Sequence, residues 1–212
     1  MPGVVDICNL ALANLGDEAT VSSIYPPEGS VQAEHCARFY PIAVKSILEL
    51  HDWGFATHRT PLTLYEDEEN PRIGVWKYCY ALPSDCLRII SVDPPGLRKQ
   101  SAPEYAKGYY DYEIGINDDG LQCLYTNIEN AVMKYVATTN IRDQFFPYNF
   151  LMAVAWKLSA MLAGPMIKGD TGAQMAQSCE KMAQYWFELA KSVDAQQHRD
   201  YSEVVPEWIT RR

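Results

Sequence analysis

The tetrapeptide Pro83-Ser84-Asp85-Cys86 sets a hydroxyl, a carboxylate and a thiol side by side, the groups from which nucleophiles and bases are made. Its composition reads more simply as a turn between two strands, because Pro, Ser and Asp are residues that close turns. The other reactive residues form no pattern. The six cysteines (Cys8, Cys36, Cys79, Cys86, Cys123, Cys179) include no CxxC pair. The nearest approach to a metal site is His35 beside Cys36, and neighbours in sequence point to different sides of a helix. The four histidines (His35, His51, His58, His198) are scattered, and isolated histidines are mostly structural or on the surface. No GxxxxGK[ST], GxGxxG or GxSxG occurs, so nothing in the sequence points to a phosphate cradle, a dinucleotide turn or a nucleophile elbow. Acid pairs for sugar hydrolysis could be drawn from 27 carboxylates in many ways, and the sequence selects none. The expectation is a protein that is not an enzyme, with no catalytic, cofactor-binding or metal-ligating residues.

Composition narrows the class further. The 212 residues are 48% apolar and 21% charged, an ordinary globular balance with enough length for a real core. Eighteen basic against 27 acidic residues give a net charge of −9, which argues against gripping nucleic acid by its phosphates. The opening Met1-Pro2-Gly3-Val4-Val5-Asp6 has no basic n-region and an acid where a signal peptide would be apolar. The most apolar stretch, 148–163, is interrupted by Asn149, Lys157 and Ser159 and meets Gly164-Pro165, so it is expected to be too short and too polar to span a bilayer. A soluble protein made in the cytosol is expected, with its thiols serving as small core hydrophobes.

The elements that must carry any function follow from periodicity. Val4, Ile7, Cys8, Ala11, Leu12 and Leu15 lie on one face of a helix, and Gly16 is placed to end it. After the Pro26-Pro27 and Gly29 loop, Ser30 offers an N-cap for a helix to about residue 52. Its inner face would carry Ala33, Cys36, Tyr40, Val44, Ile47 and Leu48. Pro41 inside it predicts a kink or a break. Residues 58–138 alternate β-branched and aromatic runs with turn residues, predicting strands at 61–65, 76–82, 87–93, 109–116, 122–126 and 132–137. Asp119-Gly120 is a hairpin signal. Helical periodicity returns near Phe146. The last long helix, 171–195, sets Met175, Cys179, Met182, Trp186, Leu189 and Val193 at spacings of 4 and 3, predicting a seam buried against the helix at 146–163.

The fold class expected is α+β: a bundle of N- and C-terminal helices (1–57 and 139–197), an inserted antiparallel β domain (58–138) and an extended C-terminal arm (198–212). The arm has too few apolar groups to fold alone, yet it carries Val204, Val205, Trp208 and Ile209 and ends on Arg211 and Arg212. An arm of this kind orders on binding, with the Trp as anchor.

Four segments in order carry a family resemblance. They are Ile7-Cys8-Asn9-Leu10-Ala11-Leu12 through Leu15-Gly16 with the Val21-Ser22-Ser23-Ile24 loop; Phe39-Tyr40-Pro41 through Ile47-Leu48 to Trp53-Gly54-Phe55-Ala56; Tyr80-Ala81-Leu82-Pro83-Ser84-Asp85-Cys86-Leu87-Arg88; and Ala155-Trp156-Lys157-Leu158-Ser159-Ala160 to Gly164-Pro165-Met166 and Gly169-Asp170. Together, over about residues 4–195, the chain resembles the head-to-tail adaptor family of short-tailed bacteriophages, the tail tubular protein A family. The resemblance implies a structural virion protein of the tail or neck, assembled in the cytoplasm of the host bacterium. It would form a twelve-subunit ring that binds the portal protein on one side and a tail nozzle protein on the other. DNA would pass through the ring without specific binding, and neither a cofactor nor a membrane is implied.

The arm lies beyond the resembling segments, but in such a ring its residues Val204, Val205, Trp208, Ile209, Arg211 and Arg212 would bind the portal or a neighbouring subunit. Glu66, Asp67, Glu68 and Glu69, or Asp118 and Asp119, would face the lumen, where acids repel passing phosphates; each run also reads as a solvated loop. Two other classes stay open: a tail-borne peptidoglycan hydrolase, and a head-completion stopper of another phage type. A stopper would be shorter and would lack a β insertion of this size.

Overall fold

The computed structural model describes residues 3–65, 74–96, 111–117, 120–138 and 146–197. The protein is α+β; of the described residues half are helical and about a quarter are in strands. The described chain divides into two compact units. The first draws on Met1–His58, Pro83–Ile90 and Tyr135–Asp194, the second on Arg59–Leu82, Ser91–Lys134 and the segment from Ala195.

In the first unit, α1 (Val4–Asn14) buries Ile7, Cys8, Ala11 and Leu12, the face its spacing predicts. Gly16, at φ +78°, ends it in a Schellman turn: the Asp17 N–H donates to the Leu12 carbonyl (3.1 Å) and the Gly16 N–H to that of Ala13 (3.0 Å). Helix α2 (Val31–Glu49) starts where Ser30 Oγ accepts from the Ala33 N–H at 3.2 Å. Pro41 does not divide it. The burial of Tyr40, Ala43, Ile47 and Leu48 on both sides of the proline offsets the one backbone hydrogen bond that Pro41 cannot make.

Helix α3 (Tyr148–Ile167) is the centre of this unit and packs on both α1 and α2. Nine of its residues are buried, from Phe150 to Ala163. It runs through Pro165 rather than stopping at Gly164-Pro165, and so reaches 20 residues. By length and composition alone that is enough to cross a membrane, contrary to the sequence expectation; half of its apolar window is buried inside the protein. Ser159, fully buried within it, shares its one hydroxyl proton between the carbonyls of Ala11 (3.0 Å) and Ala155 (2.8 Å) and accepts from Asn14 Nδ2, tying α3 to α1.

Helix α4 (Gly169–Gln197) follows after a single residue, Lys168, held at φ +60° and ψ +165°, a conformation that essentially only glycine adopts without strain. Its N–H closes α3 by donating to the Gly164 carbonyl at 3.0 Å. Lys168→Gly should therefore raise stability by about 1 kcal/mol, the relieved strain exceeding the extra freedom of the unfolded chain. A urea midpoint shifted upward at unchanged slope would show it; a midpoint at or below that of the parent would contradict it.

The strands are β1 (Thr57–Pro61), β2 (Thr63–Leu64), β3 (Tyr78–Ala81), β4 (Cys86–Asp93), β5 (Tyr112–Ile116), β6 (Gln122–Thr126) and β7 (Val132–Ala137). One sheet has the order β1-β7-β4, the other β2-β3-β6-β5. The predicted strand at 61–65 is split at Leu62, and β1 begins earlier, at a Thr-His-Arg-Thr run with no apolar alternation to announce it. Strands β5 and β6 pair antiparallel with Ile116 opposite Gln122, the hairpin that Asp119-Gly120 predicts. In the second unit Cys79, Cys123 and Tyr125 pack with Tyr65 and Trp76 on one face of the four-stranded sheet. On the other face Tyr80, 2% exposed, donates its hydroxyl to the Ile128 carbonyl at 2.8 Å.

Candidate interaction surface

Helix α4 leaves several of its large apolar side chains exposed. The residues it buries are small, namely Gly172, Cys179, Ala183 and Ala190, together with Asp194. An added Cβ on Gly172 would stand 3.1 Å from the Ala163 carbonyl oxygen, so the helix approaches α3 closely there. Trp186 and Phe187 are half-buried against the core, with the Phe187 ring 5.9 Å from that of Trp53. The predicted seam is thus only partly internal. Cys179 is buried and Met175 and Trp186 are half-buried, whereas Met182, Leu189 and Val193 are exposed (38%, 36% and 41%) beside Tyr185 at 57%.

The cause is the shape of the body against which α4 lies. At about 100° per residue, the small residues at 172, 179, 183 and 190 cluster near one direction, and Met182, Leu189 and Val193 fall some 60–120° away. The surface formed by the other helices accepts the small side chains and leaves the large ones outside. The helix cannot simply roll to hide them. Near its C-terminal end Asp194 accepts from the Gly54 N–H (3.1 Å) and pairs with His51 Nε2 (3.0 Å). Nearer its start Glu180 pairs with Lys157 of α3 at 2.6 Å.

The stripe is close to electrically neutral. Its helix carries Glu180, Lys181, Glu188 and Lys191 in the same stretch, two of each sign, in a chain of net charge −9.

Pro83–Cys86 is a turn closed by the Cys86 N–H on the Pro83 carbonyl (3.0 Å), as its composition predicts. Asp85 Oδ1 accepts from the Tyr135 hydroxyl at 3.1 Å, and burial together with this carboxylate pushes Tyr135 up to about 12. Burial foremost, with Asp85 adding to it, lifts the Cys86 thiol to about 11, so it is protonated at neutral pH and a poor nucleophile. His58 lies edge-on to Tyr135 at 6.0 Å, His35 stacks on Phe39 at 6.1 Å, and His51 holds Asp194. Five of the six cysteines are buried, and none is in a disulfide. Among the described residues no group of three or more His, Cys, Asp or Glu could hold a metal ion. His198, the lumen candidates Glu66, Asp67, Glu68, Glu69, Asp118 and Asp119, and the arm candidates Val204, Val205, Trp208, Ile209, Arg211 and Arg212 lie outside the described residues.

The sequence reading missed the exposed stripe, although its signal was present: apolar residues cover more than half of the α4 circumference, more than one packed face can hide. Comparison with protein-family models finds no match for this chain, and comparison with curated proteins finds none either.

Proposed function

We propose that this protein is a structural, ring-forming subunit, a head-to-tail adaptor of a short-tailed bacteriophage that joins the portal to the tail nozzle and continues the DNA channel. The observation that carries the reading is the fixed, neutral, apolar stripe Met182, Tyr185, Leu189 and Val193, a surface suited to contact between copies. The four segments that resemble the adaptor family support it, because they include the residues that build the helical core: α1, the end of α2 with Trp53 and Phe55, and α3. The acidic balance suits a channel that DNA traverses without adhering. Such a subunit would assemble into a ring of twelve in the bacterial cytoplasm and would reside in the virion neck.

Two measurements test the reading. Native mass spectrometry of the chain with the portal protein of its phage should show a closed ring of about twelve copies, and Leu189→Glu should reduce ring formation at least tenfold while leaving the circular dichroism spectrum unchanged. A variant that assembles as well as the parent would sink the stripe as a subunit contact. The arm is the proposed portal anchor. Deleting residues 199–212 should leave the chain folded and raise the concentration needed to saturate portal rings; saturation at the same concentration would exclude that role.

A further inference from the structure

A closed ring of identical subunits needs two different surfaces that fit one another, because a face that pairs only with itself stops at a dimer. The α4 stripe is one such surface. We infer that the other is the loop tip Tyr25-Pro26-Pro27, which seats on the Tyr185, Leu189 and Val193 stripe of a second copy of this chain. The inference rests on the ring-forming reading above and identifies the surface that completes it.

The loop between α1 and α2 is long but tightly tied. Val21 and Ile24 are buried in the helical core. The Asn9 side chain grips Val21 twice, donating to its carbonyl (2.9 Å) and accepting from its N–H (2.7 Å). The Glu28 carboxylate accepts from the Ser22 hydroxyl, the Ser22 N–H (2.9 Å) and the Ser30 hydroxyl (2.9 Å). These donors, the Ser22 hydroxyl foremost, hold Glu28 below the ordinary carboxylate range, so it stays ionised at neutral pH. Ser23 Oγ donates to the Pro26 carbonyl at 2.7 Å, and the Glu28 N–H to that of Ser23 at 3.2 Å. On this frame Tyr25 stands 60% exposed beside two exposed prolines. A large aromatic side chain on a loop that is already ordered loses little conformational freedom when it docks, the property of a contact anchor.

Charge permits this pairing. From Gly16 to Ser30 the loop contains Asp17, Glu18 and Glu28 and no basic residue. On α4, Glu180 and Glu188 are already paired, with Lys157 and Lys191, while exposed Lys181 sits one turn before Tyr185. The loop is acidic and the stripe adds no net negative charge, with Lys181 at its border, so this contact brings little of the repulsion that opposes contact between copies of an acidic chain. The two patches are also distinct places on the unit. Ser30, at the root of the loop, caps the start of α2, and His51, just past its end, holds Asp194 beside Val193. The 19 residues of α2 between them span about 28 Å. Separation of this kind is what a head-to-tail contact requires.

Mixing two defective chains tests the inference. Tyr25→Glu spoils the tip and keeps the stripe; Leu189→Glu does the reverse. Both full-length variants should melt like the parent by circular dichroism, and each alone should lose ring formation at least tenfold in native mass spectra. Mixed in equal amounts they should give heterodimers, because one intact tip meets one intact stripe and the contact cannot propagate. Should Tyr25→Glu form rings as the parent does while Leu189→Glu does not, the tip is not the partner, although the ring-forming reading stands. Folded variants that each fail alone and stay monomeric when mixed also overturn it. A parent chain that remains monomeric at every concentration, with and without portal, overturns both.

Discussion

Trp53→Ala should cost about 3–5 kcal/mol of stability, the largest single loss expected in the chain. The side chain is 1% exposed and stands where three helices meet. Its ring lies 5.0 Å from Phe150 of α3, 5.9 Å from Phe187 of α4 and 4.7 Å from His51 just beyond α2. Phe55 and Phe146 extend the same aromatic cluster. The indole N–H donates to the Ile47 carbonyl at 3.1 Å, so truncation removes packing and one of the two donors to that carbonyl, the Leu50 N–H at 3.4 Å remaining. The informative control is Trp186→Ala. That side chain is only half-buried, and about 1–2 kcal/mol is expected there. Urea titrations of the two variants at equal slope check both numbers. Equal losses would mean that Trp186 is as deeply packed as Trp53 and that the outward face of α4 is misjudged.

That contrast shows what the sequence could and could not specify. Helix α1 was legible because its apolar spacing agrees with a Gly16 stop, and the start of α2 because Ser30 is a good cap. The β5–β6 hairpin was legible from Asp119-Gly120. The face of α4 was not. Its circumference offers two apolar arcs, one of large side chains in heptad spacing and one of Gly, Ala and Cys, and periodicity alone favours the larger. Which arc turns inward depends on the relief of the surface presented by other helices, a tertiary fact. Pro165, and Pro41 as a point of division, mislead for the same reason: a proline's local cost is visible in the sequence, whereas the burial that outweighs it is not. The pairing of His51 with Asp194 joins residues 143 apart, and no spacing rule connects them.

That pairing sets the second large effect: His51→Ala should destabilise by about 2–3 kcal/mol. Asp194 lies in the last turn of α4 and is 7% exposed. A carboxylate there sits against the negative end of the helix dipole and is removed from water, so it depends on its two partners. Taking away the imidazole leaves the Gly54 N–H alone to satisfy it. The cost is set below the 3–5 kcal/mol of a fully buried pair because the His51 side chain keeps 21% of its exposure. His51→Phe controls for the edge contact with Trp53, since it retains a ring and removes the nitrogen. The decisive variant is Asp194→Asn on the His51→Ala background. The neutral amide still accepts from Gly54 and has no charge to desolvate, so more than half of the loss should return. Hydrogen exchange of the last two turns of α4 should follow the same order, fastest in His51→Ala and slower again in the double variant. If the second substitution deepens the loss instead, the burden is not an unpaired carboxylate, and the end of α4 is held by packing around Trp53 and Phe187.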